Sequence, residues 1–284
     1  MPKGNYYTHA IRFVRIGRVR FLTYNVHRCR GVDGQLSPER IARLIASSGA
    51  DVACLQELDA GHARTGGLHQ AKAIAGMLEM QFHFFPVIRA AQEEYGDAIL
   101  SRYPLKVVRT GELPRPWGAL EPRGALWVEI EGEEVRWQVI NTHLGIGRAA
   151  RFAQASALAA WIEAASLHRP VVFCGDLNSR SGSVVHALFT RQLRRVRPGA
   201  GTTLERTFPT WLPWICLDYI YTSPEVEVLS AAVLTDSLAR VASDHFPVLA
   251  DLSYRHLNGA TGRSTASNNA LRNDRRVTAA GVTS

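Results

Sequence analysis

The stretch Val171-Val172-Phe173-Cys174-Gly175-Asp176-Leu177-Asn178 decides the fold. Its four apolar residues follow Pro170 and predict a short buried strand. The glycine lets the backbone turn where a side chain would obstruct it. The strand therefore ends in a carboxylate and an amide. A single stretch of this kind is typical of a polar turn, so its meaning depends on whether the pattern recurs.

The pattern recurs along the chain. Polar side chains also follow apolar runs at Asn25, Glu57, Asp97, His143, Asp218, Asp244 and His245. Taken singly, each is typical of a turn, a strand end, a helix cap or a structural histidine. Strand ends in a layered α/β protein meet at one edge, where ligands bind. We therefore expect these side chains to converge.

Helical periodicity separates the predicted strands. A helix is predicted to begin at Ser37-Pro38, with serine as its cap. A second is expected over 68–80, and a third over 148–165 with Phe152, Ala155, Ala159 and Ile162 facing inward. Strands are predicted at 11–26, 51–57, 82–88, 96–101, 125–130, 135–142, 171–174, 217–221, 226–233 and 248–252. Two rounds of strand, helix and strand suggest the halves of one sandwich.

Composition and charge bound the class of protein. The chain has 284 residues, of which 46% are hydrophobic and 20% charged, as in soluble globular proteins. We expect a loose leader at 1–10, a single domain over 11–254 and a disordered basic tail at 255–284. Residues 1–20 carry +5 and residues 255–284 carry +4, so the ends account for the net charge of +8. Because the basic residues are concentrated at the ends and the body from 21 to 254 carries −1, the net charge is only weak evidence that the body binds nucleic acid or lipid.

The cysteines and the apolar runs indicate an ordinary cytoplasmic protein. The four cysteines form no Cys-x-x-Cys pair, and Cys54 and Cys174 lie within apolar strands. Neither a disulfide framework nor a zinc site is predicted. No signal-peptide core is apparent, and no run approaches the ~18 apolar residues of a membrane span. The expected location is the cytoplasm, and no stable protein partner is implied.

The converging residue types point to phosphoester chemistry. Carboxylate and amide oxygens without thiols select a hard cation, Mg²⁺ or Mn²⁺. Two histidines beside such an ion suit protonated contacts to a phosphoryl group, or a general acid. In-line attack of water on a phosphoester uses all of these groups.

Separated motifs, in this order, resemble the endonuclease/exonuclease/phosphatase superfamily. They are Thr23-Tyr-Asn25, Leu55-Gln-Glu57, Gly96-Asp-Ala-Ile-Leu-Ser101, Asn141-Thr-His143-Leu, Gly175-Asp-Leu-Asn178, Leu217-Asp218-Tyr-Ile-Tyr and Ser243-Asp-His245-Phe-Pro. The resemblance implies a four-layer α/β sandwich, in which two packed mixed β-sheets are flanked by helices. It also implies a phosphoesterase that depends on Mg²⁺ or Mn²⁺.

The resemblance assigns roles to particular residues. It implies that Glu57 is the principal metal carboxylate, with Asn25 and Asp244 completing or supporting the metal site. It implies that Asp176 orients or deprotonates the water and that Asn178 holds the water or the phosphate. The remaining assignments are to phosphate contacts: His245, steered by Asp218; His143, from the other side; and Arg123, where deoxyribonuclease-like members place a phosphate-binding arginine. Asp97 stands where many members have asparagine, and its role stays open.

Departures from the family pattern narrow the substrate. Abasic-site endonucleases carry an Asn-x-Tyr-x-Pro stretch where this chain has Asn141-Thr-His143-Leu, which argues against abasic-site repair. A histidine there is shared by pancreatic-type deoxyribonucleases, neutral sphingomyelinases and inositol-polyphosphate phosphatases. Arg151 and Gln154 resemble bacterial members of this branch.

Two tryptophan-rich loops lie close to the motifs, one around Trp117 and one containing Trp211 and Trp214. They are consistent with packing over the core, with stacking on bases, or with contact to a bilayer interface. Three hypotheses follow. The first is a nuclease or general phosphodiesterase acting on nucleic acid. The second is a phosphodiesterase or phosphatase acting on a phospholipid headgroup, with peripheral membrane contact through the loops. A non-catalytic binder with a relic site is disfavoured, because no catalytic residue is missing.

Overall fold

The computed structural model describes residues 17–132, 135–168, 170–198 and 205–254. The strands are β1 (Gly17–Asn25), β2 (Val52–Ala60), β3 (Gln81–Ala90), β4 (Glu93–Ser101), β5 (Leu105–Glu112), β6 (Gly124–Glu131), β7 (Arg136–His143), β8 (Val171–Asp176), β9 (Arg194–Arg195), β10 (Asp218–Thr222), β11 (Val226–Val233) and β12 (Val248–Tyr254). The helices are α1 (Pro38–Ser48), α2 (Gln70–Leu78), α3 (Arg148–Ala165), α4 (Val184–Phe189) and α5 (Ser237–Ala242). The predicted leader, the predicted tail and the first residues of the predicted 11–26 strand lie outside the described residues, so the domain boundaries stay predictions.

The strands form two six-stranded sheets with a similar internal plan. The first has the order β11-β12-β1-β2-β4-β3, and the second β5-β6-β7-β8-β10-β9. Each contains one parallel pair joined through a helix, β1 with β2 and β7 with β8, and the remaining pairs are antiparallel. The two rounds of strand, helix and strand are therefore the centres of the two sheets.

Apolar clusters divide the molecule into four layers. Side chains of both sheets, such as Phe21, Val128 and Ile220, interdigitate in a central cluster. The outer face of the first sheet packs against α1, α2 and α5. The outer face of the second packs against α3 and α4. The predicted α/β sandwich, with two packed mixed sheets flanked by helices, is confirmed. No helix in the described part of the chain is long and apolar enough to span a membrane.

The helices agree with the sequence pattern at their ends better than on their faces. The Ser37 side chain caps α1 by accepting a hydrogen bond from the Arg40 backbone N–H, as predicted. In α3 the prediction for Phe152 was wrong, because this ring is 47% exposed. The buried face of α3 instead includes Leu158 and Trp161, which pack on the second sheet. Many small alanines leave the apolar stripe of this helix poorly defined in sequence.

The polar strand ends meet at one edge of the sandwich. Asn25, His143 and Asp176 are the last residues of β1, β7 and β8, the strands of the two parallel pairs that reach this edge with their carboxyl ends. Asp218 begins β10, and its antiparallel register places it opposite Asp176. The expected convergence is therefore correct, although antiparallel strands contribute their beginnings rather than their carboxyl ends.

Candidate active site

Strand β8 brings Asp176 into the candidate active site with little freedom. Gly175 has a φ of 143°, and a Cβ there would lie 1.8 Å from the backbone oxygen of Thr142 on β7. Only glycine fits this close approach of two strands. Beyond it, Asp176 is 1% exposed, and its Oδ1 accepts a hydrogen bond from the Asn178 backbone N–H at 2.9 Å.

Glu57 reaches the site through an irregularity in β2. The register of β2 against β4 shifts between Leu55 and Leu58, and Glu57 within this bulge has a φ of 62°. Left-handed backbone is costly for a residue other than glycine and is concentrated at functional sites. Its N–H faces Oδ1 of Asp97 on β4 at 3.4 Å. The bulge thus interrupts the alternation of side chains between the two faces of β2 and directs the Glu57 carboxylate toward the edge of the sandwich.

Asn25 joins the two sheets at the site. Its Nδ2 donates to Oε1 of Glu57 at 3.0 Å and to Oδ2 of Asp176 at 3.1 Å. Its Oδ1 accepts from the His27 backbone N–H at 3.1 Å. Asn25 therefore supports Glu57 and Asp176 through its amide nitrogen, and its oxygen is engaged by the neighbouring turn.

Asp218 and His245 form a buried ion pair. His245 Nδ1 lies 2.9 Å from Oδ2 of Asp218, and its Nε2 lies 3.8 Å from Oδ2 of Asp176. Burial disfavours the imidazolium, but the carboxylates of Asp218 and Asp176 outweigh it, and the pKa of His245 rises to about 10. His245 is therefore a cation at neutral pH.

Asp176 titrates near neutrality. Burial raises the pKa of its carboxyl to about 7, while the charge of His245 opposes that rise. A carboxylate with such a pKa is suited to accept a proton at physiological pH.

His143 is neutral, in contrast with His245. Burial, together with the charges of Arg123 and His245, lowers the pKa of His143 well below its usual value. The role of His143 as a phosphate contact stays a prediction, and the lowered pKa favours a contact made by its neutral imidazole. Nδ2 of Asn178 donates to the Leu144 carbonyl at 2.8 Å and lies 3.0 Å from His143 Nε2. Because that amide group only donates, Nε2 accepts and the ring proton is on Nδ1. Nδ1 has no partner among the described residues, which leaves a buried donor for another molecule.

Arg123 lies close enough to His143 for its charge to act on that imidazole. It is 5% exposed, and its Nη2 lies 3.0 Å from Oε2 of Glu121, so the guanidinium is buried and ion-paired rather than solvated. Its Nε has no partner among the described residues. Burial raises the pKa of Asp97 to about 7 against the opposing charge of Arg123. Arg123 is thus a buried cation that retains a free donor, as a phosphate-binding residue requires.

A divalent cation fits at Glu57. Its Oε2 is buried without a hydrogen-bond partner in the described structure, and Arg28 Nη2 lies 3.6 Å away. Asp244 is on the same side, because its Oδ1 is 3.9 Å from Nδ1 of His27, which adjoins Asn25. Arg28 pairs with this oxygen without a hydrogen bond, and a buried carboxylate oxygen that accepts no hydrogen bond favours a cation in direct contact. The all-oxygen donors suit Mg²⁺ or Mn²⁺.

Asp176, Asp218 and His245 also present ligand atoms within 4.8 Å of one another. This group is a poorer cation site, because a protonated imidazole is not a ligand and its charge already compensates the two carboxylates. Proximity alone therefore does not identify the metal position, and the unpartnered oxygen of Glu57 is the better indication.

Several residues of the site were not identified from sequence. Tyr95 is buried near Arg123. It precedes Asp97 by two residues on β4, so Tyr95 and Asp97 lie on the same face of the strand, and strand alternation could have identified it. Arg28 occupies left-handed backbone at φ 54°, which no sequence pattern indicated. Gln56 bonds Asn141 Oδ1 at 2.8 Å and so ties the two sheets together beneath the site.

The tryptophan loops do not pack over the core. Trp117 is fully exposed, and Trp211 and Trp214 are 73% and 54% exposed. Of the three interpretations of these loops, packing is therefore excluded, and the two that involve another molecule remain.

Comparisons with known proteins agree with this geometry. The model of the Endonuclease/Exonuclease/phosphatase family matches residues 22–245. The uncharacterized protein YbhP of Escherichia coli (strain K12) is 27% identical over 247 residues, which cover 82% of this chain and 95% of YbhP.

Solved structures share the fold at lower identity. A Bacteroides thetaiotaomicron protein of the endonuclease/exonuclease/phosphatase family superposes with a TM-score of 0.68 at 20% identity, covering 84% of this chain and 99% of the other. The mannosyl-6-phosphatase Bt3783 of the same organism gives 0.65 at 22% identity, covering 82% and 99%.

Proposed function

We propose that this chain, which belongs to the endonuclease/exonuclease/phosphatase family, is a metal-dependent hydrolase. It would cleave phosphodiester bonds by in-line attack of water. A nuclease or general phosphodiesterase is the activity we place first. The observation that carries the proposal is the position of Asn25, which bonds Glu57 at 3.0 Å and Asp176 at 3.1 Å and so links the candidate metal carboxylate to the candidate base.

Asp176 is proposed to activate the water. Its carboxylate is held by N–H donors of Asn25 and Asn178, which fix its direction. With a pKa of about 7 it accepts the proton of the attacking water as the new P–O bond forms and the bond to the leaving oxygen breaks. Asn178, tied to the Leu144 carbonyl, holds the water or a phosphate oxygen beside it.

Three donors are proposed to receive the charge on the phosphate. His245, a cation because of Asp218, contacts the scissile group. The Nδ1–H of His143 and the Nε–H of Arg123 are buried donors without described partners, and both are then satisfied by phosphate oxygens. Donors fixed before the substrate arrives stabilise the transition state without reorganisation.

The proposed cation is held by Glu57, with Asn25 and Asp244 completing or supporting the site. When bound, Mg²⁺ or Mn²⁺ supplies charge neutralisation for the developing oxyanion. The residues of the chain contribute the oxygen donors and the orientation: Glu57 offers its unpartnered Oε2, and Asn25 fixes the other carboxylate oxygen.

A phospholipid phosphodiesterase or phosphatase is the second candidate. The specific observation in its favour is the exposure of the tryptophan loops, since bare apolar side chains beside a catalytic site are typical of a surface that meets another molecule. The basic ends of the sequence suit either anionic substrate.

An assay panel tests the proposal. The protein is incubated with Mg²⁺ or Mn²⁺ against plasmid, single-stranded DNA, RNA, sphingomyelin, phosphatidylinositol phosphates and bis-p-nitrophenyl phosphate. We expect hydrolysis of at least the small phosphodiester, lost on chelation and restored by the metal. Asp176→Asn keeps the size of the side chain and removes the base, so we expect a loss of about 100-fold or more.

The matched control is Asp51→Asn, a carboxylate that directly precedes β2 and lies six residues before Glu57 along the chain. It should retain full activity. Activity that survives both chelation and Asp176→Asn would remove the mechanism, and cleavage of lipid alone would replace the nuclease assignment by the second candidate.

A further inference from the structure

Six large apolar side chains are exposed on the chain segments that adjoin site residues, and we call them the apolar rim. Each is more than half exposed: Trp117, Leu120, Ile146, Trp211, Leu212 and Trp214. The other three tryptophans, Trp127, Trp137 and Trp161, are 6% exposed or less. The exposed tryptophans are therefore confined to the loops near the site. Exposed apolar side chains grouped in this way are typical of a surface that contacts another molecule.

One part of the rim adjoins His143 and Arg123. Ile146 follows His143 by three residues, and Leu120 precedes Arg123 by three. Leu120, Arg123 and Ile146 together line one small cavity of about 80 Å³. This part of the rim is therefore next to the predicted phosphate contacts.

The other part of the rim adjoins His245. The ring of Phe208, which begins this loop, lies 4.7 Å from the ring of His245, and the Thr210 N–H donates to the Asp244 carbonyl at 2.9 Å. Trp211 and Trp214 extend outward from these anchored residues. Exposed apolar side chains are therefore present on chain segments that adjoin Arg123 and His245.

The charge of the rim is mainly positive, although Glu121 lines the same cavity as Leu120 and Ile146. Residues 114–120, 144–151 and 206–217 contain no aspartate or glutamate, and they carry Arg115, Arg148, Arg151 and Arg206. Arg180 adds a guanidinium 5.0 Å above the ring of Trp214. Tryptophans at the level of lipid headgroups, aliphatic side chains below them and arginines on anionic phosphates are the composition of a peripheral membrane contact.

A nucleic acid suits the rim less well. Base stacking requires open aromatic faces. Half of the rim is aliphatic, and Arg180 covers one face of Trp214. Aliphatic side chains in water gain most by entering a lipid layer, where their whole surface is removed from solvent.

We propose that the apolar rim docks on an anionic membrane surface, so that the candidate active site receives a phosphodiester headgroup presented at that surface. This inference rests on the proposed hydrolysis of phosphodiester bonds, and between its two candidate substrates it favours the phospholipid headgroup over nucleic acid. Docking itself requires no catalysis.

Vesicle binding tests the inference separately from hydrolysis. Full-length protein carrying Asp176→Asn is sedimented in EDTA and about 0.15 M salt with vesicles of phosphatidylcholine alone or with phosphatidylglycerol, so that neither turnover nor a metal contributes. We expect binding to the anionic vesicles. Trp117→Ala and Trp211→Ala should each weaken vesicle binding by about tenfold, because each removes a large apolar side chain that would enter the lipid layer on docking. These substitutions leave the charge of the chain unchanged, so any attraction by the basic ends is constant.

The matched control is Leu167→Ala, which removes an 81% exposed leucine beyond the far end of α3 from the site. It should bind vesicles as well as the parent, and circular dichroism verifies that every variant is folded. Absence of vesicle binding, or binding that the rim substitutions leave unchanged, overturns docking. Tryptophan-dependent binding to single-stranded DNA instead of vesicles assigns the rim to nucleic acid. A protein that binds vesicles but hydrolyses no phosphodiester disproves the proposed function and leaves docking intact.

Discussion

Replacing Asp218 by asparagine should change the pH dependence of catalysis more than its rate at low pH. Asp218 Oδ2 lies 2.9 Å from His245 Nδ1, and the pKa of that histidine rises from 6.5 to about 10 mainly because carboxylates oppose the effect of burial. Asp218→Asn preserves the shape of the side chain and removes the charge that keeps His245 protonated.

The size of the effect follows from the protonated fraction of His245. At pH 9 a histidine with a pKa of about 10 is about nine-tenths protonated, whereas one at its ordinary value is protonated in about three molecules per thousand. Asp176, whose Oδ2 is 3.8 Å from Nε2, still raises the pKa in the variant. Since activity requires the cation, it declines as the pH rises through the pKa of His245. We expect this alkaline limb to move from near pH 10 to between about pH 7 and 9.

The assay is the pH profile of kcat/KM for bis-p-nitrophenyl phosphate with Mg²⁺ between about pH 6 and 9.5. Imidazole nitrogen NMR of the metal-free protein gives the protonation of His245 without turnover. Asp51→Asn is again the control. An Asp218→Asn profile that coincides with the wild type would refute the reasoning, as would a neutral His245 in the wild-type spectrum at pH 8.

Three further predictions concern the framework of the site. Gly175→Ala should lower the melting temperature sharply or prevent folding, since the added Cβ meets the Thr142 oxygen at 1.8 Å; a melting curve like that of the wild type would contradict this. Asn141→Ala should destabilise the protein by about 1–3 kcal/mol in urea unfolding, because it strands buried groups of the first sheet that this amide of the second sheet satisfies, and an unchanged midpoint would argue against that bridge. The Arg18 guanidinium holds the pKa of Asp251 below its usual range, a contribution that is present near pH 7 and lost as the pH falls through that lowered value. Asp251→Asn should therefore lower the melting temperature at pH 7 and less at pH 3, and an equal difference at both pH values would oppose this.

The sequence predicted the elements whose signals are local. Ser37 and Pro38 mark the start of α1, and the apolar run before Gly175 marks β8, because capping and strand burial depend on neighbouring residues. The predicted site residues were also available from sequence, since they lie at or near strand ends, whereas Tyr95 and Arg28 were not identified. Phe152 shows the limit of this approach: in an alanine-rich helix the hydrophobic pattern does not specify which face is buried.

Only the tertiary structure decided how the site residues differ from one another. His143 and His245 look equivalent in sequence, yet one is neutral beside Arg123 and the other is charged beside Asp218. Glu57 depends on a bulge, and the exposure of Trp117 depends on what its loop leaves uncovered. Protonation, backbone strain and exposure are set by groups far apart in the chain, so the sequence by itself determined the residue types and the fold class. The folded chain determined their charges, directions and access to solvent.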